Sequence, residues 1–294
     1  MEAIQRFIFD HVLTYGTFAA LGIAAAFVCA LVLCFKLRQN WVRQIPMMLL
    51  SLLGMAAGAK LFGMISYASY LNTVGAEVTL GILFNNSGIV FYGGLLGYFL
   101  TFWVLSKWLL PRRRLGRDIV AVTTPLFHGI ARIGCYFGHS LVDGELVWAP
   151  CCYGMQMDNA FCRLFWDSRL PTQLIEAAFN LALFGVLLWL LLRNKDEKKR
   201  GNLIVIYLIA YPVFRFIIEF FRDDAERGGY GALAFSQVVS LVILFFVTLY
   251  GILRWKGVIR PAPVDPYDPE VDRFDLFGRT TEEPITFASK EDEE

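Results

Sequence analysis

Five ionisable residues lie inside long apolar segments of this chain: Lys60, Arg132, Glu176, Arg215 and Glu219. An ionisable side chain in hydrocarbon is costly and is seldom retained without a partner or a function. If the apolar segments span a membrane, all five residues fall in the same half of the bilayer. Charges of both signs at one depth predict a polar chamber inside a helical bundle, of the kind in which a membrane enzyme would handle a lipid headgroup.

The three basic members of this set, Lys60, Arg132 and Arg215, suit an anionic ligand. A guanidinium group binds phosphate oxygens through two parallel hydrogen bonds. The set therefore favours a phosphate-bearing ligand.

A purely structural interpretation competes with this one. Arg215 and Glu219 are four residues apart, so they share a helix face and can neutralise each other. Arg132 and Glu176 can form a second structural pair. For either pair alone the two interpretations are balanced, but a set of charges at one depth on several helices favours function.

The apolar segments themselves define the class of protein. Of the 294 residues, 56% are hydrophobic and 15% aromatic. A hydrocarbon core about 30 Å thick requires roughly 20 apolar residues per helix. The sequence therefore predicts an all-α polytopic membrane protein with seven transmembrane helices, at about 13–35, 46–67, 87–110, 118–138, 172–193, 202–221 and 232–254.

The positions of the basic residues predict the orientation of these helices. Lysine and arginine cluster at 36–43, 107–117, 193–200 and 254–260, which follow the first, third, fifth and seventh segments. Because short cytoplasmic loops carry the excess of basic residues, the N-terminus is expected outside and the C-terminus in the cytoplasm. The site would then face the external leaflet. The net charge of +1 gives no indication of nucleic-acid binding.

The chain is expected to contain one folded part and one disordered part. Residues 1–260 form the predicted seven-helix membrane domain, which includes an external loop at 139–170. Residues 261–294 are rich in Asp, Glu and Pro and are predicted to be a disordered cytoplasmic tail.

Four cysteines, Cys135, Cys151, Cys152 and Cys162, map to the external side. We expect one or two disulfides that brace the 139–170 loop, because this compartment can be oxidising. A redox-active or nucleophilic thiol, with Cys135 as the candidate, is the second interpretation. A zinc site is the third, although no C-x-x-C spacing supports it, and neither a metal nor a cofactor is expected. His128 is interpreted as a hydrogen-bonded core residue.

Several short motifs in this chain resemble those of the prolipoprotein diacylglyceryl transferases, and their order matches the seven-helix arrangement. They are Tyr15–Gly16, Phe91–Gly97, Ala131–Gly134, Tyr153–Gly154, Pro171–Glu176, Arg215–Arg222 and Ser236–Gln237.

The resemblance implies a reaction, two substrates and a location. Members of that family transfer a diacylglyceryl group from phosphatidylglycerol to the lipobox cysteine of a prolipoprotein signal peptide, at the bacterial inner membrane. The resemblance implies that Arg132 and Arg215 hold the phosphate, that Glu219 orients Arg215, and that Tyr15 and Tyr92 face the reacting groups. It further implies a set of substrate-binding residues, namely Lys60, Cys135, Glu145, Gly154, Gln173, Glu176 and Arg222.

Some positions depart from the family pattern. Tyr92 stands where the family usually has a histidine, Cys135 stands for an asparagine, and Lys60 stands for an arginine. The family's glutamate in the external loop is either Glu145 or replaced by Cys151. These departures leave open a divergent enzyme of the same fold with another acceptor. A small-anion transporter and a membrane thiol-redox protein are further alternatives.

Overall fold

The structure, a computed structural model, describes residues 15–88, 90–110, 112–142, 145–148, 150, 152–194, 200–223, 229–230 and 233–258. For residues 139–142, 145–148, 166, 229 and 230 it describes the backbone alone. The predicted tail at 261–294 and Cys151 lie outside the described residues.

The described part of the chain is built mainly from α-helices. Their bounds are α1 Tyr15–Lys36, α2 Trp41–Thr73, α3 Leu80–Asn86, α4 Phe91–Leu109, α5 Arg113–Tyr136, α6 Thr172–Arg193, α7 Leu203–Ile218 and α8 Phe235–Trp255. Short 3₁₀ helices occupy Cys162–Leu164, Trp166–Ser168 and Glu219–Phe221. Two small antiparallel hairpins complete it, β1 His139–Val142 with β2 Glu145–Trp148 and β3 Gly229–Tyr230 with β4 Leu233–Ala234.

Six of the described helices, α1, α2 and α5–α8, are long and apolar enough to cross a membrane. The number rises to seven if α3 and α4, which are bent by 98° to each other, are counted as one span. The protein is thus an all-α polytopic membrane protein with six to seven candidate spans. Helix α2 is longer than the predicted 46–67, because Asn40 accepts a hydrogen bond from the backbone N–H of Arg43 at 3.1 Å and starts the helix earlier.

Helix α5 is the most buried helix of the bundle and packs against both α1 and α6. Helix α2 packs closely against α4 at paired glycines. A Cβ atom on Gly93 would lie 2.3 Å from the carbonyl oxygen of Gly58, so only glycine permits this approach. The contact fixes the first turn of α4, which carries Phe91 and Tyr92.

The alternating direction of the helices brings the ends of some and the starts of others to the same end of the bundle. Helices α5 and α7 end where α4, α6 and α8 begin, as alternating antiparallel spans require. Arg132 lies near the end of α5, Glu176 in the first turns of α6, and Arg215 in the last turn of α7. The predicted common depth of these three residues therefore follows from the fold.

Candidate active site

Glu176 is the centre of a buried charged network. Its side chain is 2% exposed, and its Oε1 atom lies 3.0 Å from Nη2 of Arg132. The hydroxyl of Tyr211 donates a hydrogen bond to the same oxygen at 2.9 Å. One carboxylate oxygen on α6 therefore joins α5 to α7.

Arg215 extends the network to the end of α7. Its Nη2 atom lies 2.6 Å from Oε2 of Glu219, which confirms the predicted ion pair. Its Nη1 atom lies 3.8 Å from Oε2 of Glu176, and Arg222 approaches Glu219 at 3.5 Å. The two pairs that the sequence suggested are therefore one network, and we call these five residues (Arg132, Glu176, Arg215, Glu219 and Arg222) the charged network.

Helical spacing explains why these side chains converge. Residues four apart lie on one face of a helix, one turn above the other. His128 precedes Arg132 on α5 by four residues, and Asn180 follows Glu176 on α6 by four. Tyr211, Arg215 and Glu219 repeat the spacing along α7 and the 3₁₀ turn that follows it. Three polar ladders thus face one another at one end of the bundle.

The charged network is buried and rich in guanidinium groups. Three guanidinium groups meet two carboxylates, and each of the five side chains is at most 10% exposed. Nε of Arg132 and Nη1 of Arg215 are buried without a hydrogen bond. Buried donors of this kind are costly, so they indicate positions where a ligand oxygen would be stabilised.

Tyr92 lies beside the network rather than in it. Its hydroxyl is 2.6 Å from Oγ of Ser240 on α8, and its ring is 5.8 Å from that of Tyr211. Gln237, one turn before Ser240, donates to the carbonyl oxygen of Phe216 at 3.4 Å. Helices α4 and α8 are thereby attached to α7 on the side that carries Arg215.

An extended segment at 153–157, which we call the outer segment, pairs with the chain that follows α7, next to Arg222 of the network. The N–H of Gly154 donates to Leu170 at 3.0 Å, and the N–H of Met155 donates to Phe221 at 2.8 Å. A Cβ atom on Gly154 would lie 2.6 Å from the carbonyl oxygen of Leu170 and 2.9 Å from that of Phe221. Glycine is thus required at position 154, where the chain passes close to both Leu170 and Phe221. Gly154 also pairs with Arg222 in a β-bridge.

Arg169 fastens this segment to the chain that follows Arg222. It donates to Asp223 at 2.8 Å and to Asp167 at 3.1 Å, and its guanidinium lies 4.6 Å from the ring centre of Tyr153. The hydrogen bond to Asp223, followed by that to Asp167, raises the pKa of Arg169. Arg169 therefore holds the outer segment over the network as a cation.

Lys60 was expected to bind substrate, but its amine is engaged elsewhere. It donates to the carbonyl oxygen of Ser87 at 2.7 Å and lies 5.3 Å from the ring centre of Phe84. Ser87 is the C-cap of α3, where carbonyl groups lack helical partners. In the described part of the protein, no salt bridge joins Lys60 to the charged network.

The remaining predicted residues surround the network at different distances. Sγ of Cys135 accepts a hydrogen bond from Nη1 of Arg132 at 3.7 Å, and Gln173 is buried one turn before Glu176. Tyr15 is 45% exposed, and its Cα would lie 3.3 Å from a Cβ on Gly134. Glu145 belongs to β2, where only the backbone is described.

The expectation of an open polar chamber is not met by the charged network, whose side chains pack against one another. A neighbouring cavity is lined mainly by apolar side chains and lies among α1, α2, α4 and α5. Phe91 lines this cavity and also stacks on His128 at a ring distance of 3.9 Å. Phe91 thus separates the apolar space from the charges.

The predicted disulfides are wrong for the cysteines that the structure describes. Cys135, Cys152 and Cys162 are present as thiols with no disulfide joining them. Cys162 is instead fully buried, and its backbone N–H is bound by the side chain of Asn159 at 2.8 Å. Local hydrogen bonds therefore order the part of the loop around Cys162. Among the described residues, no group of three or more His, Cys, Asp or Glu side chains is placed to hold a metal ion.

The sequence did not lead us to Tyr211 or Asn180 as members of this site, and it assigned no function to a third member, His128. Each lies four residues from a charged residue that had been identified, so the spacing contained the signal. His128 was predicted to be a hydrogen-bonded core residue. It is 1% exposed, but neither ring nitrogen makes a hydrogen bond of normal geometry.

Named proteins with similar sequences come from several bacteria. "Phosphatidylglycerol--prolipoprotein diacylglyceryl transferase 2" of Clostridium perfringens is 32% identical over 183 residues, 58% of this chain and 64% of the relative. A Helicobacter pylori protein of the same name, without the number, is 30% identical over 57% of this chain and 58% of its own length. The matched region thus spans about three-fifths of these two relatives.

A longer match is found with the protein of that name from Clostridium tetani. It is 28% identical over 254 residues, 82% of this chain and 93% of the relative. The family model described as prolipoprotein diacylglyceryl transferase matches residues 4–254, which include every described member of the charged network. The chain belongs to the prolipoprotein diacylglyceryl transferase family.

Proposed function

We propose that this protein transfers a diacylglyceryl group from phosphatidylglycerol to the lipobox cysteine thiol of a prolipoprotein signal peptide. The single observation that supports it most is the pair of buried guanidinium donors, Nε of Arg132 and Nη1 of Arg215, that make no hydrogen bond within the network. The oxygens of one phosphodiester anion would accept hydrogen bonds from these two donors. The names of the relatives and the family of the chain support the same reaction.

The chemistry assigns a role to each guanidinium. The thiol sulfur attacks the glyceryl carbon beside the phosphate, the carbon–oxygen bond breaks, and glycerol phosphate leaves with the electron pair. Nε of Arg132 and Nη1 of Arg215, which lack hydrogen bonds, would bind phosphate oxygens as negative charge develops. Preplaced donors of this kind stabilise a transition state by about 3–4 kcal/mol each.

Glu176 and Glu219 act as positioning residues for the two arginines. Glu219 holds Arg215 at 2.6 Å, and Glu176 holds Arg132 at 3.0 Å. A guanidinium anchored on one edge keeps its other edge available for a phosphate oxygen. Gly154 and Arg222 close the site through the outer segment, and Gln173 and Cys135 line its edge. Tyr15 and Tyr92 face the reacting groups in this proposal, and Glu145 contributes from the external loop.

The same proposal includes an orientation. The N-terminus lies outside, the C-terminal tail at 261–294 is cytoplasmic and disordered, and residues 1–260 form the membrane domain. The charged network then faces the external leaflet, where phosphatidylglycerol and the signal peptide meet. The four basic clusters support this arrangement.

A second candidate is an enzyme of the same fold that modifies another thiol or a hydroxyl. Two substitutions favour it, Tyr92 at the family's histidine position and Cys135 at its asparagine position. Cys135 can contact Arg132 only weakly through sulfur, at 3.7 Å. Neither substitution removes an arginine that would bind the phosphate.

Mass spectrometry of a model signal peptide tests both candidates. The purified protein in vesicles of phosphatidylglycerol is incubated with a peptide that carries a lipobox cysteine, and with a matched peptide in which that cysteine is serine. A gain of one diacylglyceryl group on the cysteine peptide alone is the expected result. A gain on the serine peptide would favour the second candidate, and no gain on either would contradict the proposed reaction.

A further inference from the structure

His128 is a buried imidazole inside the site to which the proposed reaction has so far assigned no task. Its ring is stacked on Phe91 at 3.9 Å with an angle of 18°, and the ring of Tyr211 packs against it edge-on at 4.8 Å. The two aromatic contacts fix the plane of the imidazole. The edge that carries its nitrogens is therefore directed at α6.

Two acceptors on α6 flank this edge. Nε2 of His128 lies 3.5 Å from Oε1 of Glu176, and Asn180 interacts with the same ring from one turn further along α6. Oδ1 of Asn180 is buried without a hydrogen bond, as are both ring nitrogens. A neutral imidazole has one N–H to donate, whereas an imidazolium has two. Burial and the nearby Arg132 and Arg215 keep the resting ring neutral, but only its protonated form could donate to both acceptors.

The charge of the site changes during the proposed reaction. Before the reaction, the bound phosphodiester carries one negative charge. When the carbon–oxygen bond breaks, the departing phosphate monoester carries a second negative charge. A proton retained at the site would offset this added charge in a poorly solvated space.

We propose that His128 receives the proton of the acceptor thiol, by way of the Glu176 carboxylate. The S–H bond breaks, the proton passes to Oε1 of Glu176 and on to Nε2 of His128, and the sulfur forms a bond to the glyceryl carbon. The electron pair of the broken carbon–oxygen bond leaves with glycerol phosphate. Nδ1–H of the resulting imidazolium then donates to Oδ1 of Asn180. This inference rests on the proposed transferase function.

The other titratable groups around the ring are less available as a final proton acceptor. Glu176 already accepts hydrogen bonds from Arg132 and Tyr211 on one oxygen, so a retained proton would displace them. Glu219 is bound to Arg215, which also faces His128 electrostatically. On α4, the residue against the ring is the apolar Phe91, and the hydroxyl of Tyr92 is engaged by Ser240.

The test measures kcat and KM across pH 6–9 for the full chain in phosphatidylglycerol vesicles with a lipobox peptide. His128→Asn removes the proton acceptor but remains polar. His128→Phe removes it while keeping a flat ring between Phe91 and Tyr211. Near neutral pH we expect both variants to lose about a hundredfold in kcat, the usual effect of losing an acid–base group. The KM for phosphatidylglycerol should change by less than about twofold, because the phosphate-binding arginines are intact.

The pH dependence separates proton transfer from packing. As the pH passes about 8.5, where a free cysteine thiol ionises, the peptide arrives as a thiolate and the deficit of both variants should shrink. A deficit that stays constant across the range, or a His128→Phe variant with wild-type turnover, would overturn the role of His128. If neither variant folds, Asn180→Leu provides a milder form of the same test. An inactive wild-type protein would instead contradict the transferase function itself.

Discussion

Polar side chains are buried at both ends of the helical bundle, and the two ends use them differently. At the end opposite the charged network, arginines bind the carbonyl groups that terminate helices. Arg112 donates to Leu37 at 3.0 Å, Arg43 to Leu109 at 3.3 Å, and Arg200 to Leu191 at 3.0 Å. Each bond satisfies a carbonyl that has no partner within its own helix.

Asp118 serves the same purpose at a helix start. Its carboxylate accepts hydrogen bonds from the backbone N–H groups of Gly201 at 2.7 Å and Leu203 at 3.1 Å, where α7 begins. We call Asp118 and these three arginines the capping end. Its polar groups bind mainly the backbone, whereas those of the charged network bind mainly one another. The capping end thus stabilises the fold, and the charged network is poised for a ligand.

The largest effect on folding is expected at Glu176. Glu176→Ala would leave the guanidinium groups of Arg132 and Arg215 buried without their shared carboxylate. Removing one partner of a buried ion pair costs about 3–5 kcal/mol. Thermal unfolding in detergent should show this loss, together with loss of transfer. Glu176→Gln keeps the shape of the side chain and an acceptor for Tyr211. Its unfolding temperature should therefore lie between those of the wild type and Glu176→Ala. A Glu176→Ala protein as stable as the wild type would show that the arginines are not held by this residue.

Gly154 tests whether the outer segment matters to the network beneath it. Gly154→Ala would force apart the segments at 153–157, 168–170 and 221–223. Such overpacking costs about 1–3 kcal/mol and would displace Arg222. We expect reduced transfer per folded molecule, as measured by peptide mass.

Gly185→Ala is the matched control for this change. A Cβ atom there has no neighbour within 4 Å, and alanine favours a helix. It should retain wild-type transfer. Equal activity in the two variants would show that the outer segment does not affect transfer.

The smallest effect on activity is expected at the capping end. Asp118→Ala leaves two backbone N–H groups at the start of α7 without their acceptor, at a cost of about 1–2 kcal/mol. Its unfolding temperature should fall, while kcat of the folded fraction stays at the wild-type value. A strong fall in kcat at unchanged KM would mean that the capping end takes part in the reaction.

Much of the fold was predictable because long apolar segments and basic loops follow simple physical rules. The bounds of α6 were predicted within one residue, since Pro171 precedes it and polar residues follow Arg193. The bend between α3 and α4 was not predicted. At the end of α3, Ser87 accepts a hydrogen bond from Lys60, and this contact between residues 27 apart in sequence is not visible in a local pattern.

The site was predictable in its charges but not in its connections. Arg132, Glu176, Arg215 and Glu219 were identified from their common depth in the predicted helices, because an isolated charge is costly to bury in the bilayer. The depth criterion also grouped Lys60 with them, whereas the amine of Lys60 donates to the carbonyl oxygen of Ser87, because depth gives no information about which face a side chain occupies. It also missed that Glu176 bridges two arginines, which requires the relative rotation of α5, α6 and α7.

The central claim is that the charged network binds phosphate in the transition state. The most direct measurement is transfer to the lipobox peptide by Arg215→Ala, with Arg43→Ala from the capping end as its control. Removing a phosphate-binding donor should cost about 3 kcal/mol, close to a hundredfold in kcat, with the protein still folded. Arg43→Ala should transfer at the wild-type rate. Wild-type turnover in a folded Arg215→Ala protein would contradict the account and leave the network a structural ion-pair cluster.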